Sequence, residues 1–311
     1  KDTGVEWRSP FQQTTTFFIP ARNTMFAPVT TKELYRFFLL ELQKLYGLGE
    51  ATSITDWVFE KMISLKKADI IRNPRLQVPQ DAETRIRRCL EALMQHQPVQ
   101  YVLGEAWFGH MKMKVNEHVL IPRPETEELV EQLVADRKSK LTDPAILDIG
   151  TGSGCIPIFI KKHLPAAIVT SIDVSAEALA VARENAESHN AMINLKQMDF
   201  LDETTWNDLP LFEIIISNPP YIPAGEARML SKNVTAFEPH LALFVPDQNP
   251  MLFYEKIAAF GKAHLLPNGR IYLETHEDLA KDVASLFVKD YQTVMIKRDM
   301  SGKERMVLVT A

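Results

Sequence analysis

The sequence predicts an α/β protein, in which a mostly parallel sheet covered by helices follows a small helical domain and a β-hairpin linker. Three observations predict this fold class. From residue 144 onward, short apolar strands alternate with amphipathic helices, which is the order of elements in parallel sheets with helices on both faces. Residues 30–96 have a helical period, and residues 99–121 alternate with a period of two. At roughly 150 residues per domain, 311 residues predict about two domains.

The predicted helical domain spans residues 25–97. Thr30 or Thr31 can cap its first helix, because a hydroxyl there can accept a hydrogen bond from a free backbone N–H. A second helix and a loop with two X-Pro pairs lead to a third helix, which Asp81 is expected to cap. Residues 1–24 show no such period, and we interpret them as an appended, weakly ordered extension.

The predicted linker spans residues 98–122, where residues 100–103 and the alternating residues 111–121 indicate one or two hairpins. Residues 123–311 form the predicted sheet domain. It is expected to open with a helix at residues 125–134, whose acidic first turn suits the positive end of the helix dipole.

The remaining elements of the sheet domain follow from apolar runs and helical periodicity. Strands are predicted at residues 145–149, 168–173, 193–197, 212–217, 269–274, 293–297 and 305–310. Helices are predicted between them, at residues 153–163, 175–189, 250–265 and 277–288. Ligands of such sheets bind beyond the carboxyl ends of the strands.

Composition excludes several classes of protein. The net charge of −5 argues against a broadly basic nucleic-acid binder. Two cysteines cannot form a disulfide scaffold and fit a reducing compartment, and the scattered histidines lack the spacing of a metal site. No apolar run has the length of a membrane span, and the first residues lack a signal-peptide pattern. We therefore expect a cytoplasmic protein without a metal.

One local charge excess stands out. Residues 61–88 contain eight Lys and Arg residues but only three Asp and Glu residues. This excess indicates either an ordinary solvated helix face or a docking surface for an acidic or RNA-associated partner. The sequence leaves both interpretations open.

Three glycines follow the first predicted strand of the sheet domain. Gly150, Gly152 and Gly154 allow a tight turn and let a ligand approach the main chain. The next helix directs its free N–H groups into this loop. A dinucleotide fingerprint would need a glycine where Cys155 stands. The form found here, preceded by Asp148, is typical of enzymes that bind S-adenosylmethionine (SAM), although a plain turn with a capping acid is the structural alternative.

Acids also end the next two strands. Asp173 could accept two hydrogen bonds from a ribose diol. Asp199 and Phe200 could accept a hydrogen bond from an adenine amino group and stack on its ring. Since carboxyl ends of parallel strands share one edge, these side chains and the glycine loop predict one nucleoside site.

The tetrad Asn218-Pro219-Pro220-Tyr221 follows a buried strand. The two prolines fix two φ angles and remove two donors, which leaves a stiff set of acceptors. The side-chain oxygen of Asn218 and the carbonyl of Pro219 could bind both N–H groups of an amide or an aromatic amine, and Tyr221 adds an aromatic wall. This arrangement would orient the nitrogen toward an electrophilic methyl group. A proline-rich turn is the structural alternative.

In these motifs the chain resembles the glutamine-N5 methyltransferases of peptide-chain release factors, the PrmC/HemK family. The resemblance covers residues 25–311. Its most specific part is the run Pro-Arg-Pro-Glu-Thr-Glu at residues 122–127. Further shared segments are residues 97–101, 148–154, 218–221, 237–239 and 299–305.

The resemblance implies a Rossmann-like methyltransferase sheet with an antiparallel final strand. It also implies that the methyl group of SAM is transferred to the side-chain nitrogen of the glutamine in a Gly-Gly-Gln loop of a release factor. The implied catalytic residues are Asn218, Pro219, Pro220 and Tyr221. The implied cofactor-binding residues are Asp148, Gly150, Thr151, Gly152, Ser153, Gly154, Asp173, Asp199, Phe200 and Asn218.

The tetrad is also expected to hold the substrate glutamine, together with Phe108, Arg123 and Glu125. Phe108 enters this set because the hairpin aromatics Trp107 and Phe108 lie near the predicted cleft between the domains, although core packing is the favoured interpretation of these rings. The helical domain would dock the rest of the release factor. We expect no nucleic-acid substrate, no membrane association and a monomer.

An adenine-N6 methyltransferase acting on DNA or RNA is the alternative function, since it would use the same tetrad on an extruded base. Residues 144–311 contain 15 Lys and Arg residues against 21 Asp and Glu residues, which disfavours it. A SAM-binding protein without catalysis is a second alternative. The chain also departs from the family at two places: Glu274-Thr275-His276 replaces Glu-x-Gly, and residues 244–249 replace a glycine-rich stretch.

Overall fold

The computed structural model of the protein describes residues 29–137 and 143–311. The predicted extension, residues 1–24, lies outside these ranges, as do residues 25–28 of the predicted helical domain. The described residues form a helical N-terminal part, a β-hairpin and a seven-stranded sheet flanked by helices. The predicted α/β fold class is therefore confirmed.

The N-terminal part is helical, as predicted. Its helices are α1 (Thr31–Leu42), α2 (Leu48–Ile63), α3 (Lys67–Arg72), α4 (Gln80–Met94) and α5 (Val99–Leu103). Thr30 caps α1 in a capping box: its hydroxyl accepts from the N–H of Glu33, and the Glu33 carboxylate accepts from the N–H of Thr30. The loop that the two X-Pro pairs predict is present at residues 73–79. Helix α3 precedes it and was not predicted; burial of Ile70 holds this helix against the helical core. The prediction that Asp81 caps the third helix is wrong, because Pro79 is the N-cap of α4 and Asp81 lies in its first turn.

One hairpin follows, formed by β1 (Glu105–Phe108) and β2 (Met111–Lys114), which pair antiparallel. The expectation of a strand at residues 100–103 is wrong, because these residues belong to α5. Pro98 precedes the first turn of α5, and Gly104 ends the helix with a φ of 67°. A five-residue, mostly apolar segment fits either period, so its pattern alone could not distinguish helix from strand.

The sheet domain supplies the remaining elements. Its helices are α6 (Pro124–Arg137), α7 (Cys155–His163), α8 (Ala176–Ser188), α9 (Lys232–Thr235), α10 (Leu252–His264) and α11 (Ala280–Val288). Its strands are β3 (Ala145–Ile149), β4 (Ile168–Asp173), β5 (Asn194–Gln197), β6 (Phe212–Ser217), β7 (Ile222–Pro223), β8 (Phe244–Val245), β9 (Leu265–Glu274), β10 (Thr293–Arg298) and β11 (Glu304–Thr310). The short strands β7 and β8 pair apart from the main sheet.

The main sheet has the strand order β10-β11-β9-β6-β3-β4-β5. Strands β5, β4, β3, β6 and β9 are parallel, and β11 runs antiparallel to both of its neighbours. The antiparallel final strand agrees with the expected Rossmann-like sheet. Each predicted strand of the sheet domain is present, with ends shifted by up to four residues.

Side chains of the central strands alternate between two buried clusters, one on each face of the sheet. Ile146, Ile214 and Ile216 join one cluster, whereas Leu147 and Ile215 join the other. This alternation follows from the two-residue period of a strand. Burial on both faces explains why these strands read as continuous apolar runs.

The register brings the carboxyl ends of the central strands level with one another. Ser217 of β6 pairs with Ile149 of β3 and with Leu273 of β9. The residues that follow these positions therefore lie side by side at one edge of the sheet, where the site residues were predicted.

In the described ranges, none of the helices is both long enough and apolar enough to cross a membrane.

A buried acid joins the helical part to the hairpin. Glu105 of β1 pairs with Lys61 of α2 and, at 3.2 Å, with Lys112 of β2. The indole N–H of Trp57 also donates to Glu105, at 3.2 Å. These partners lower the pKa of the Glu105 carboxyl against the opposing effect of its burial, so the group remains a charged connection between the two elements.

We predict that Glu105→Gln reduces the free energy of unfolding by roughly 1–3 kcal/mol, because two lysines lose their buried counter-charge. The matched control is Glu184→Gln, whose pairing with Lys114 is exposed on both sides and should matter by less than about 1 kcal/mol. Urea unfolding of both variants measures this difference. Equal, small effects would show that the buried pairing does not hold the two elements together.

Candidate functional site

The glycine loop connects β3 to α7 in a conformation that favours glycine. Gly150, Gly152 and Gly154 have φ values of 77°, 53° and 79°. A Cβ on Gly150 or Gly152 would meet nothing within 4 Å, whereas one on Gly154 would lie 3.2 Å from the Cβ of Ala182 in α8. The third glycine therefore allows close helix packing, and the first two leave open space beside the main chain.

Asp173 holds this loop against the end of β4. One carboxyl oxygen accepts from the N–H of Gly152 at 2.9 Å, and the other accepts from the N–H of Ser175 at 3.0 Å. Burial raises the pKa of Asp173, and these backbone donors lower it in part. Each carboxylate oxygen has further lone pairs, so the side chain can accept from a ligand while it braces the loop.

Beneath the loop lies a buried polar cluster, consisting of Asp148, Thr151, Ser153 and Ser171. Within the described part of the chain, the hydroxyls of Thr151 and Ser171 face the carboxyl of Asp148, but none of these side-chain atoms is in good hydrogen-bond geometry with a protein partner. Burial raises the pKa of Asp148 to about 7, and the facing hydroxyls of Thr151 and Ser171 offset part of this rise. Buried polar groups without partners are costly, so this cluster suits a polar ligand group or ordered water at the loop.

The end of β5 differs from the expected ring-stacking geometry. Asp199 is exposed, and one of its oxygens accepts from the N–H of Leu201 at 2.9 Å. The ring of Phe200 is 4% exposed and stacks on Trp206 with a centroid distance of 5.5 Å. In this conformation Phe200 packs in the core and offers little surface to a ligand, whereas Asp199 faces solvent.

Asn218 lies beside the glycine loop, because the hydroxyl of Ser217 donates to the carbonyl of Ile149 at 2.8 Å. Its amide nitrogen donates to the hydroxyl of Thr126 at 3.0 Å. The Thr126 hydroxyl in turn donates to the carboxyl of Glu274 at 2.6 Å. The carbonyl oxygen of Asn218 accepts no hydrogen bond from the described residues, so it is left as an acceptor at the site.

Pro219 is buried and Pro220 is half-buried, which holds the tetrad against the sheet edge. The ring of Tyr221 lies 6.0 Å from that of His276. Burial, and then the neighbouring Glu274, raise the pKa of Tyr221 to about 12. The phenol therefore remains neutral and serves as an aromatic surface.

The run at residues 122–127 is attached to the sheet domain at two points. Arg123 pairs with Glu238, whose second oxygen accepts from the N–H of Ile121 at 3.1 Å. Thr126 supplies the second attachment, through Glu274. The predicted substrate residue Arg123 thus pairs with a buried acid. Burial raises the pKa of Glu274 to about 7; the hydroxyl of Thr126 offsets part of this rise, and the half-buried Glu125 adds to it.

Phe108 does not face this edge of the sheet. Its side chain is fully buried and packs edge to face on Phe159, with a centroid distance of 5.9 Å. Core packing is therefore the role that its position supports. Its neighbour Trp107 is the exposed aromatic residue of the hairpin.

Thr126, Glu238 and Glu274 are parts of the site that were not predicted from the sequence. Each lies in one of the segments named above, but no spacing rule connects residues so far apart in the chain. Glu274 ends a central strand, as Asp173 does, and this position is the signal that could have identified it. Among the described residues, no cluster of three or more histidines, cysteines or acids could hold a metal ion.

Two family models match this chain. The model of the methyltransferase small domain matches residues 124–241, and the model of the PrmC N-terminal domain matches residues 33–104. The first covers the glycine loop and the tetrad, and the second covers most of the helical part.

Curated relatives match almost the full length of the chain. The release factor glutamine methyltransferase of Flavobacterium psychrophilum is 39% identical over 275 residues, which are 88% of this chain and 96% of that protein. Proteins of the same name from Bacteroides thetaiotaomicron and Streptococcus pneumoniae are 34% and 37% identical. Each alignment covers 86% of this chain, and they cover 95% and 94% of the respective relatives.

We predict that Asp148→Asn makes the thermal stability of the protein less sensitive to rising pH. Asp148 holds its proton up to about pH 7 when folded, whereas an unfolded aspartate loses it near pH 4. The stability contributed by this group is therefore present below about pH 4 and is lost as the pH rises toward 7.

Thermal unfolding at pH 5, 6, 7 and 8 measures this effect. The melting temperature of wild type should fall more steeply than that of Asp148→Asn, and the variant should gain relative to wild type above pH 7. The control Asp202→Asn changes an exposed acid whose pKa is lowered, so it should not flatten the profile. Parallel profiles of Asp148→Asn and wild type would exclude a protonated, buried Asp148.

Proposed function

Because this chain belongs to the family of release factor glutamine methyltransferases, we propose that it transfers the methyl group of SAM to the side-chain amide nitrogen N5 of a glutamine in a peptide-chain release factor. We further propose that this glutamine is that of the Gly-Gly-Gln motif. The observation that carries the proposal is the placement of Asn218, whose carbonyl oxygen is left as an acceptor beside the glycine loop. A glutamine amide has the two N–H groups that such an acceptor site needs.

The cofactor of this enzyme is SAM, and the carboxyl edge of the sheet fits it. The open space beside Gly150 and Gly152 admits a ligand to the main chain, and the buried cluster around Asp148 has unused donors and acceptors. We propose that Asp173 binds the ribose and that Asp199 binds the adenine amino group, with Thr151, Ser153 and Gly154 completing the loop contact. When bound, SAM supplies an electrophilic methyl group on a sulfonium sulfur.

The tetrad would prepare the amide nitrogen for attack. An amide nitrogen is a poor nucleophile because its lone pair is delocalised into the carbonyl. We propose that the Asn218 side-chain oxygen and the Pro219 carbonyl accept its two N–H groups and stabilise the positive charge that develops on nitrogen. Pro220 stiffens this turn, and Tyr221 packs on the amide plane. The alkylated nitrogen is acidic, so it releases its proton without a strong base.

We propose that the helical domain, residues 25–97, docks the release factor, with the linker at 98–122 and the catalytic domain at 123–311. The helical part has its own buried core, centred on Phe38 and Phe59, which supports a separate unit. The active unit is proposed to be a monomer, since one chain supplies all the assigned residues.

Most of the basic residues at 61–88 already pair with acids of this chain, so fewer of them are left to dock a partner than the sequence suggested. Five of their eight basic side chains pair with acids in α2, α3, α4 or β1, namely Lys61, Lys66, Arg72, Arg85 and Arg87. Across the described ranges, Lys67, Arg75 and Arg88 have no such pairing and are exposed. The local excess is therefore mostly a solvated helix face, with three basic side chains left for an acidic partner.

We predict that incubation with SAM and a release factor adds one methyl group to the glutamine of its Gly-Gly-Gln segment. Mass spectrometry of the digested factor locates the added mass. A release factor with Gln→Ala at that position is the control and should remain unmodified. Methylated adenine in added DNA or RNA, with an unmodified release factor, would favour the adenine-N6 alternative instead.

We predict that Asn218→Ala lowers kcat by roughly 100-fold or more, because one acceptor that orients the nitrogen is lost. The affinity for SAM should change little, since the loop and Asp173 remain. Asn194→Ala, at the exposed edge strand β5, is the control and should retain activity. Single-turnover methylation and calorimetric titration with SAM separate the two effects. Full turnover by Asn218→Ala would remove this residue from the mechanism.

A further inference from the structure

The hydroxyl of Thr126 lies between two groups that come from distant parts of the chain. Thr126 is buried in the first turn of α6. It accepts from the side-chain amide of Asn218 at 3.0 Å and donates to the carboxyl of Glu274 at 2.6 Å. These contacts join α6, the end of β6 and the end of β9 in one chain of hydrogen bonds.

The direction of this chain follows from the number of protons available. Burial raises the pKa of Glu274 to about 7, so above that pH the group is a carboxylate and can only accept. The single hydroxyl proton of Thr126 then goes to Glu274. The Thr126 oxygen then has only lone pairs left for Asn218, and the NH₂ group is the only donor of an asparagine side chain. The amide of Asn218 is therefore held with its nitrogen inward and its carbonyl oxygen toward the site.

The reverse orientation is disfavoured. Rotation of the Asn218 amide by half a turn would place its carbonyl oxygen against the Thr126 oxygen, whose proton is already used by Glu274. Two acceptors would then face each other in a buried place, and the amide N–H groups would lose their partner.

Both ends of the chain are fixed by their surroundings. Ser217, which precedes Asn218, pairs with Leu273, which precedes Glu274. The hydroxyl of Tyr254 donates to the main-chain carbonyl of Glu274 at 3.0 Å. Thr126 stands in a helix turn that Arg123 attaches to a second buried acid. The Thr126 hydroxyl is therefore held in place and cannot easily move to pair with an Asn218 amide that has rotated.

We propose that Thr126 and Glu274 are positioning residues that hold the Asn218 amide in one orientation, and that they thereby select a substrate amide over a carboxylate of the same shape. The inference rests on the proposed function of Asn218 as the acceptor of a substrate N–H. With its oxygen outward, Asn218 binds the N–H groups of glutamine and repels the carboxylate of glutamate. If the amide could rotate, it would offer its own N–H groups to glutamate.

The test is made at about pH 8, where Glu274 is ionised. It compares Thr126→Val, which keeps the shape but removes the hydroxyl, with Thr126→Ser, which keeps the hydroxyl. Thr126→Val should lower kcat for the glutamine substrate roughly 10- to 100-fold and leave the affinity for SAM within about threefold of wild type. Thr126→Ser should stay within about threefold of wild type in both. The control is Thr55→Val, since Thr55 is buried in α2 and its hydroxyl donates to the carbonyl of Ala51.

A second measurement separates positioning from a general structural role. A release-factor peptide with Gln→Glu serves as a competitive inhibitor of methylation. Wild type, Thr126→Ser and Thr55→Val should bind it poorly, whereas Thr126→Val should bind it at least about fivefold better relative to the glutamine peptide. Loss of packing alone would weaken both peptides together. Thr126→Ala, which adds no bulk, replaces Thr126→Val if the latter does not fold.

Three results would overturn the inference: unchanged kcat in the hydroxyl-free variant, equal loss in Thr126→Ser, or an unchanged preference between the two peptides. Each of these is read in a preparation where wild type methylates glutamine. Failure of wild type to methylate any glutamine would instead refute the proposed function, so the two failures are distinguishable.

Discussion

Burying acidic side chains at the carboxyl edge of a sheet is unfavourable, and much of this site depends on how that cost is offset. Glu238 and Glu274 are 4% and 2% exposed, and both receive partners from the run at residues 121–127. An unpaired buried carboxylate would shift its pKa or destabilise the fold. The first turn of α6 is thereby attached to the sheet edge. The run at residues 122–127 thus has a structural role: it holds the tetrad in place through the contact of Thr126 with Asn218.

A buried neutral side chain connects the hairpin to the glycine loop. Asn185 of α8 is buried, and its amide nitrogen donates both to the carbonyl of Ser153 and to that of Lys114, each at 2.9 Å. Its oxygen accepts from the N–H of Lys114 at 2.7 Å. One side chain thus fixes β2 against the proposed cofactor loop, while Glu105 fixes β1 to α2. Direct contacts therefore connect the helical part to the proposed SAM site through a hairpin whose two strands have four residues each.

Local patterns predicted the fold well where one period dominates. The strands of the sheet domain are buried on both faces, so each reads as an apolar run, and the glycine loop follows from three residues that adopt positive φ. Residues 100–103 were mistaken for a strand and α3 was not predicted, because short segments fit more than one period and tertiary burial decides between them. The site was predictable as a set of polar residues and glycines that lie at or just after the carboxyl ends of neighbouring strands. The ring of Phe200 and the link between Thr126 and Glu274 were not, since each depends on packing between distant segments.

The departure Glu274-Thr275-His276 keeps the carboxyl group that contacts Thr126. The link to Asn218 needs a carboxylate at position 274 and a hydroxyl at position 126, and both are present. A glycine two residues after the acid would supply space and backbone freedom rather than a hydrogen bond. Here Thr275 is held by its N–H, which donates to the carbonyl of Arg305 at 2.9 Å, and the His276 ring lies near Tyr221. The departure therefore places the His276 ring beside Tyr221, while the groups that orient Asn218 stay the same.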